Sequence, residues 1–454
     1  MITARLPSPP TEPRGDGGLN PYVGSSAAER AAMLARIGVP AADALFADIP
    51  AAYRRPTLRL PPPLSELELL RELTALAAAN QTPADFISFL GGGAYRHYVP
   101  SVVPAILGRA EFYTAYTPYQ PEISQGTLQA AFEFQSLVCE ITGMDVANAG
   151  MYDGASAFAE ACLMATAVTR RPRIAVLASV NPRWLETART YAGGRAVPVD
   201  VLPPDGAGLT DAHACLAIQQ PNGLGFLEDM ARLGERAREA GALFVVDVDP
   251  IALGLFRPPG VYGADLVTAS GQSLGNGLNF GGPHTGILAA KEKYLRHLPG
   301  RIVGRTADQD GRAAYVLTLQ TREQHIRRER ATSNICTSQQ LLALATAVYL
   351  ATLGPGGLRQ VAELCYHRAH YAAAEITALP GFRLASDAPF FKEFTVVCPK
   401  PPRALLAGLL ERGILGGLDV SDRVEHGLMI AVTELNPRSE IDALVAALRA
   451  EGPA

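Results

Sequence analysis

Two carboxylates and a polar loop are the residues of this chain best suited to do chemistry. Asp247 and Asp249 come at the end of an apolar, β-branched run over residues 243–248, and a second run over 266–268 leads into a polar, glycine-rich loop over 270–282. Both runs predict buried parallel strands. Because ligands of open α/β sheets bind outside the carboxyl ends of the strands, we expect the acids and the loop to border one site.

The order of these features resembles the large domain of aminotransferase-type enzymes that use pyridoxal phosphate. The resemblance implies an aspartate that pairs with the ring nitrogen of the cofactor and a lysine in the later loop that holds it as a Schiff base. Ser273 lies 26 residues after Asp247, about where the lysine is expected, and residues 270–273 are Ser-Gly-Gln-Ser. No cofactor ligand is therefore firm, and the vestigial candidates are Gly154, Ser156, Asp247, Asp249, Gln272 and Ser273.

The lysine content of the chain supports the same interpretation. Of the 40 basic residues only four are lysines, and they are Lys291, Lys293, Lys392 and Lys400. The first pair follows a strand-like run over 285–289, at the start of a helix-like segment, and predicts a solvated end. Arginine cannot replace the missing amine because it stays protonated. We therefore expect no amine where the cofactor would be tethered.

Residues 91–125 form the most unusual stretch of the sequence. The stretch contains His97 and five tyrosines among few charges, and its three consecutive glycines and its Thr-Pro-Tyr-Gln-Pro run predict an ordered loop instead of a helix. The five tyrosines are Tyr95, Tyr98, Tyr113, Tyr116 and Tyr119. A binding surface and a packed loop that crosses a subunit interface are equally compatible with this composition.

Three further clusters each have a functional and an ordinary interpretation. The turn over 152–156 opens a helix and could bind a phosphate, although Asp153 and Ser156 also make common helix caps. Arg322, Arg327, Arg328 and Arg330 could clamp an anion, but a solvated helix face with glutamate partners is the commoner arrangement. His367 and His370 lack a cluster of cysteines or carboxylates nearby in sequence, so no metal site is expected.

Composition bounds the class of protein. A formal net charge of −4 and the lack of a basic block argue against nucleic acid as the main partner. The six cysteines show no C-x-x-C pattern, which predicts reduced, mostly buried thiols. No apolar run is expected to reach transmembrane length, and the N-terminus lacks the apolar centre of a signal peptide. These features predict a cytoplasmic protein.

Strands alternate with helical segments from residue 174 to 248, which predicts an α/β fold with a mostly parallel, doubly wound sheet. This pattern fits an aminotransferase-like large domain (pyridoxal-phosphate-dependent transferase fold type I), followed by a small C-terminal α+β domain. The expected divisions are a disordered tail at 1–20, a helical arm at 21–90, the large domain at 91–335, connecting helices at 336–380 and the small domain at 381–454. Capping boxes at 26–29 and 65–68 are each predicted to open a helix of the arm.

Four motifs carry a more specific resemblance. They are residues 116–126 (YTPYQPEISQG), 144–148 (MDVAN), 271–275 with 280–283 (GQSLG and FGGP), and 321–328 with 331–337 (TREQHIRR and ATSNICT). Together they are similar to the alpha, or N-terminal, subunits of the glycine cleavage system P-protein, glycine dehydrogenase (decarboxylating). The similarity extends from about residue 21 to the C-terminus, and the chain departs from the family pattern at Arg96 and Arg330, where histidine and lysine are usual.

The resemblance implies an α2β2 heterotetramer whose homologous beta subunit carries the lysine and the pyridoxal phosphate. It implies decarboxylation of glycine and transfer of the aminomethyl group to the lipoyl arm of the H-protein, with no covalent catalytic residue and no metal in this chain. The residues expected to shape the site at the interface are Tyr95, His97, Tyr119, Gln120, Glu122, Ser124, Arg322, His325 and Arg328. Two alternatives remain: a scaffold that stabilises the beta subunit and docks the H-protein, and a stand-alone pyridoxal enzyme with a site that lacks lysine.

Overall fold

A computed structural model describes residues 24–54, 59–61, 63–331 and 333–452. The chain divides into two compact units, Met1–Gln81 and Thr82–Ala454. The predicted disordered tail at 1–20 lies outside the described residues. In the first unit, the side chains of Ser26 and Ser65 each accept the N–H of a glutamate three residues later, and each glutamate carboxylate accepts the N–H of its serine. Both predicted capping boxes are therefore confirmed.

The described α-helices are α1 (Ala27–Ile37), α2 (Ala51–Arg54), α3 (Glu66–Ala78), α4 (Val102–Leu107), α5 (Ala110–Tyr113), α6 (Gln125–Thr142), α7 (Gly154–Thr169), α8 (Pro182–Gly193), α9 (Met230–Glu239), α10 (Gln324–Arg327), α11 (Gln340–Thr377), α12 (Pro402–Glu411) and α13 (Arg438–Glu451). The described strands are β1 (Ile87–Ser88), β2 (Val146–Ala147), β3 (Arg173–Leu177), β4 (Val199–Leu202), β5 (His213–Gln220), β6 (Leu243–Val248), β7 (Leu266–Ser270), β8 (Gly286–Ala290), β9 (Ile302–Ala307), β10 (Ala313–Thr318), β11 (Arg383–Leu384), β12 (Glu393–Val397), β13 (Ile414–Leu415), β14 (Leu418–Asp419) and β15 (Gly427–Ala431).

A seven-stranded sheet in the order β2-β8-β7-β6-β5-β3-β4 forms the centre of the second unit. Strands β4, β3, β5, β6 and β7 are parallel, whereas β8 is antiparallel to β7 and β2 is antiparallel to β8. Strand β6 is buried along its whole length. Such burial is typical of a parallel strand that has both faces covered, and the mostly parallel sheet predicted from the alternating pattern is confirmed.

The C-terminal region has its own antiparallel sheet, in the order β11-β12-β15-β14, and its own hydrophobic core. Helix α11 contributes Cys365 to the core of the large sheet and Ala369 to the C-terminal core. The helix is broken at Gly354, because this residue has a non-helical φ of 59° and the next residue is Pro355. The helix is long and apolar enough to cross a membrane by length and composition, contrary to expectation, but its buried residues pack into the two cores.

Several local predictions were wrong. The stretch at 91–125 contains the short helices α4 and α5 and is not all loop. The spacing of apolar residues predicts a helix over 226–240 that includes Phe226, but helix α9 begins at Met230, because the Asp229 side chain caps it there. The segment after Lys291 is a 3₁₀-helix, and the hairpin of β9 and β10 was not predicted.

Candidate functional site

Asp247 lies at the carboxyl end of β6 among three central strands. The Thr268 hydroxyl donates to its Oδ1 at 2.8 Å from β7, and Gln219 Nε2 donates to its Oδ2 at 3.1 Å from β5. Only 2% of Asp247 is exposed. Burial raises the pKa of this carboxyl to about 8, against the lowering effect of the two hydrogen bonds. The carboxylate expected to border a site is therefore present at the sheet edge where it was predicted.

The loop after β7, in which the resemblance implies a lysine, carries Gln272 and Ser273 instead. Gln272 Oε1 accepts the backbone N–H of Tyr95 at 2.9 Å, and Gln272 Nε2 donates to the backbone oxygen of Tyr95 at 2.9 Å. Gln272 is buried, and Ser273 lines the adjacent cavity. The amide therefore fastens the glycine-rich segment that begins at Gly91 to the large sheet, and it cannot act as a nucleophile.

Lys392 reaches the cavity beside this loop from the residue just before β12, so an amine that the sequence did not predict lies near the loop without lysine. Its Nζ atom lies 2.7 Å from Asp249 Oδ2, 2.9 Å from His97 Nε2 and 3.8 Å from the centre of the Tyr95 ring. Only 1% of Lys392 is exposed. An ion pair, a hydrogen bond and a cation–π contact hold the ammonium group in place. The sequence signal was a Lys-Glu pair inside the apolar run at 390–397.

His97 connects this lysine to Glu434. Lys392 donates to His97 Nε2, so Nδ1 carries the ring hydrogen and donates to Glu434 Oε2 at 2.7 Å. Burial, and then the charge of Lys392, lower the pKa of His97 and keep its ring neutral. Glu434 also accepts the backbone N–H of Tyr98 at 2.6 Å and lies 3.4 Å from Cys365 Sγ.

His97, Cys365 and Glu434 place potential metal ligands within 4.8 Å of one another. Hydrogen bonds already satisfy these groups, and burial, as the leading cause, raises the pKa of the Cys365 thiol well above its ordinary value. The ammonium of Lys392 adds a positive charge next to the imidazole. A cation would have to displace this network, so the cluster fits a hydrogen-bonded relay better than a metal centre.

The Tyr95 ring packs against the Nζ atom of Lys392. Its hydroxyl donates to Glu393 Oε2 at 3.0 Å, and Glu393 Oε1 accepts the backbone N–H of Gly92 at 2.7 Å. Burial, followed by the charges of Glu393 and Asp249, raises the pKa of Tyr95, so the hydroxyl stays protonated. The side chains of the predicted candidates Tyr95 and His97 are therefore inside the chain, where they contact Lys392, Glu393 and Glu434 at the C-terminal sheet.

The cavity between these groups is small. Its volume is about 40 Å³, and its walls include Asp247, Asp249, Ser273, Lys392 and Trp184, the only tryptophan of the chain. Sites for cofactors and drug-sized ligands typically measure about 300–1,000 Å³. The residues present therefore do not fit pyridoxal phosphate, because the cavity beside Asp247 is far below this size and the loop at 270–273 has no lysine to tether the cofactor.

The turn before α7, which could have bound a phosphate, is capped by its own side chains. Asp153 Oδ1 accepts the backbone N–H of Ser156 at 2.8 Å, and Ser156 Oγ accepts the backbone N–H of Asp153 at 3.1 Å. A carboxylate therefore takes the place at this helix N-terminus that a phosphate would need. Gly154 is pressed against β7, because an added Cβ would lie 2.8 Å from the Cβ of Ser270. The geometry favours the helix cap over the phosphate site.

The remaining predicted residues lie away from this cavity, on the segments around residues 119 and 322. Gln120, Glu122, His325 and Arg328 are exposed, and Ser124 is half-buried before α6. His325 Nδ1 lies 3.6 Å from Glu323 Oε2. The structure thus separates the predicted residues into a buried group around Lys392 and a second group at these segments.

Arg322 and Tyr119 in the second group both contact the segment at 298–301. Arg322 donates to the backbone oxygens of Leu298 and Gly300, so it cannot clamp an anion as one alternative suggested. The Tyr119 ring, which is half exposed, lies 5.0 Å from the guanidinium carbon of Arg301. Arg301 was missed from the sequence, because nothing in its local pattern distinguishes it from 35 other arginines.

Comparison with known proteins gives the family. A family model described as glycine cleavage system P-protein matches residues 20–448. A protein of Thermomicrobium roseum named "Probable glycine dehydrogenase (decarboxylating) subunit 1" is 54% identical, over 93% of this chain and 98% of its own length. A protein of the same name from Moorella thermoacetica is 50% identical, over 94% and 99%.

Solved structures agree with these sequence matches. A crystal structure of glycine decarboxylase (P-protein) of the glycine cleavage system, in inhibitor-bound form, has a TM-score of 0.89 and 44% identity, over 95% of this chain and 99% of that chain. A glutamate decarboxylase of Lactobacillus brevis has a TM-score of 0.65 at 14% identity, over 88% and 96%, and shows the fold alone. The fold is that of pyridoxal-phosphate-dependent enzymes of fold type I, as predicted. The chain belongs to the glycine cleavage system P-protein family.

Proposed function

We propose that this chain is the subunit of glycine dehydrogenase (decarboxylating) that does not carry the cofactor. Its family makes it an enzyme subunit of the glycine cleavage system, and the name subunit 1 of its relatives implies a partner subunit. Fold neighbours connect the family to pyridoxal phosphate. The proposal assigns that cofactor to the partner, and it rests above all on the closed site around Lys392.

Three features of that site support the assignment. The loop in which a lysine would tether the cofactor carries Gln272 instead. Two hydrogen bonds to the backbone of Tyr95 hold Gln272 in place. Lys392 is the one lysine at the site, and its Nζ atom is already engaged by Asp249, His97 and the Tyr95 ring. The remaining cavity of about 40 Å³ has room for water only.

The partner in this proposal is the homologous, lysine-bearing beta subunit, in an α2β2 assembly related by pseudo-two-fold axes. The exposed residues Gln120, Glu122, His325 and Arg328, with the half-exposed Tyr119, would face the active site of that subunit. There the cofactor supplies the electron sink for glycine decarboxylation, and this chain orients the reactants and excludes water. The aminomethyl group would then pass to the lipoyl arm of the H-protein in the cytoplasm.

Cofactor binding by the purified chain tests the assignment directly. Trp184 lines the closed cavity and is the only tryptophan, so its fluorescence reports on that cavity. We expect added pyridoxal phosphate to leave this fluorescence unchanged and to give no borohydride-reducible adduct. The chain mixed with its lysine-bearing partner should gain one adduct per αβ pair and should release CO2 from glycine. An adduct on Lys392 in the isolated chain, with glycine decarboxylation, would overturn the assignment.

A scaffold without contact to the reactants is the second candidate, and the self-contained network around Lys392 favours it. Exposed residues separate the two functions, because their substitution leaves the buried network intact. Gln120→Ala and Tyr119→Phe should lower glycine–bicarbonate exchange by the assembled complex if this chain shapes the site. Unchanged exchange in both variants, with unchanged assembly, would favour the scaffold.

A further inference from the structure

Arg301 is a buried guanidinium whose pairing is incomplete. Only 5% of the residue is exposed, and its Nη1 donates to the hydroxyl of Thr117. Its Nε and Nη2 atoms are buried and have no hydrogen-bond partner among the described residues. None of the carboxylates that the structure describes lies close enough to the guanidinium of Arg301 to form an ion pair. Burial of an unpaired charge is costly, so this group calls for an explanation.

The two unpartnered nitrogens lie on one edge of the guanidinium. The Nε–H and Nη2–H groups point in the same direction. This edge of a guanidinium binds two oxygens of a carboxylate or phosphate. Arg173 uses the same edge in this chain, since its Nε and Nη2 both donate to Asp200 at 2.6 Å. Arg322, a half-buried arginine nearby, donates to backbone oxygens instead. Arg301 therefore has the geometry of an oxyanion receptor, and no described residue supplies the acid.

Its surroundings hold that edge in place. The backbone oxygen of Arg301 accepts the N–H of Ala149 at 2.8 Å, and Thr117 binds the third nitrogen. The Tyr119 ring covers the guanidinium at 5.0 Å, and half of Tyr119 is exposed to solvent. The side chain over the guanidinium therefore comes from the segment that also carries the predicted interface residue Gln120.

From these contacts we infer that Arg301 binds a small oxyanion, a carboxylate or a phosphate, at the surface where this chain meets its partner. The inference rests on the proposed function for the identity of the anion. The carboxylate of glycine and the phosphate of the partner's cofactor are the two sources. Arg301 positions the anion through two parallel N–H groups, and its part in the reaction is binding, without any covalent step.

The isolated full-length chain provides the first test. Sodium phosphate and sodium acetate, compared with sodium chloride at equal ionic strength, should raise the melting temperature of the wild-type chain. Arg301→Gln should abolish this anion-specific rise. Arg305→Gln, a change of an exposed arginine on β9, the strand that begins directly after Arg301, is the matched control and should retain it.

The complex with the lysine-bearing subunit identifies the anion. Arg301→Lys keeps the charge but loses the paired donors, so we expect at least about tenfold weaker binding of one ligand. A higher KM for glycine with unchanged cofactor affinity assigns the carboxylate, and the reverse assigns the phosphate. Equal anion effects in wild type and Arg301→Gln, together with unchanged constants for Arg301→Lys, would overturn the inference. The melting test needs no partner, so its outcome is independent of whether the proposed function holds.

Discussion

Replacement of Lys392 by methionine tests whether its buried ion pair with Asp249 holds the C-terminal sheet against the seven-stranded sheet. Methionine retains most of the side-chain volume but leaves Asp249, whose side chain is 10% exposed, without its partner. Removal of one member of a buried pair typically costs about 3–5 kcal/mol, because the other charge stays buried. His97 also loses the donor to its Nε2 atom. We therefore expect a loss of about 3–5 kcal/mol in the free energy of unfolding.

Urea denaturation followed by Trp184 fluorescence measures this loss, because the tryptophan lines the same cavity. Lys400→Met is the matched control; the side chain of Lys400 is 36% exposed and its Nζ lies 3.8 Å from Glu451, so it should cost less than about 1 kcal/mol. The double variant Lys392→Met with Asp249→Asn should recover most of the stability. A single variant within about 1 kcal/mol of wild type, or a double variant no more stable than the single one, would refute the reasoning.

Two further predictions concern the pH dependence and the backbone of the same region. Burial raises the pKa of Asp247 from an ordinary value near 3.8 to about 8, so between these limits the folded chain binds the extra proton and stability falls as pH rises, by up to about 1.4 kcal/mol per pH unit. Asp247→Asn should remove that slope in denaturation curves taken from pH 5 to 9, and an unchanged slope would contradict it. Gly225 has a φ of 92°, and an added Cβ would lie 2.2 Å from the backbone oxygen of Glu393, so Gly225→Ala should cost more than about 2 kcal/mol. Gly193→Ala, where a Cβ meets nothing within 4 Å at the end of α8, should be neutral or stabilising by up to about 1 kcal/mol in the same assay.

Local sequence was sufficient for most of the helices and strands. The run at 243–248 predicted β6 with the correct bounds, because a strand with both faces covered is apolar throughout. Capping residues fixed the starts of α1 and α3, since their hydrogen bonds span only three residues. The hairpin of β9 and β10 was missed, because its residues outside Ile302 and Val303 are only partly buried or exposed and carry a weak hydrophobic pattern.

By itself, the sequence determined the doubly wound sheet, the family and the lack of a lysine in the loop at 270–273, since each depends on residue types in a short span of chain. Only the tertiary structure decided which distant side chains meet. Lys392 is 143 residues beyond Asp249, yet the two form an ion pair at 2.7 Å. Arg301 stands out only because the fold buries it with no acid from the described residues beside it. Burial and pairing are set by segments that converge from across the chain, and no local pattern records them.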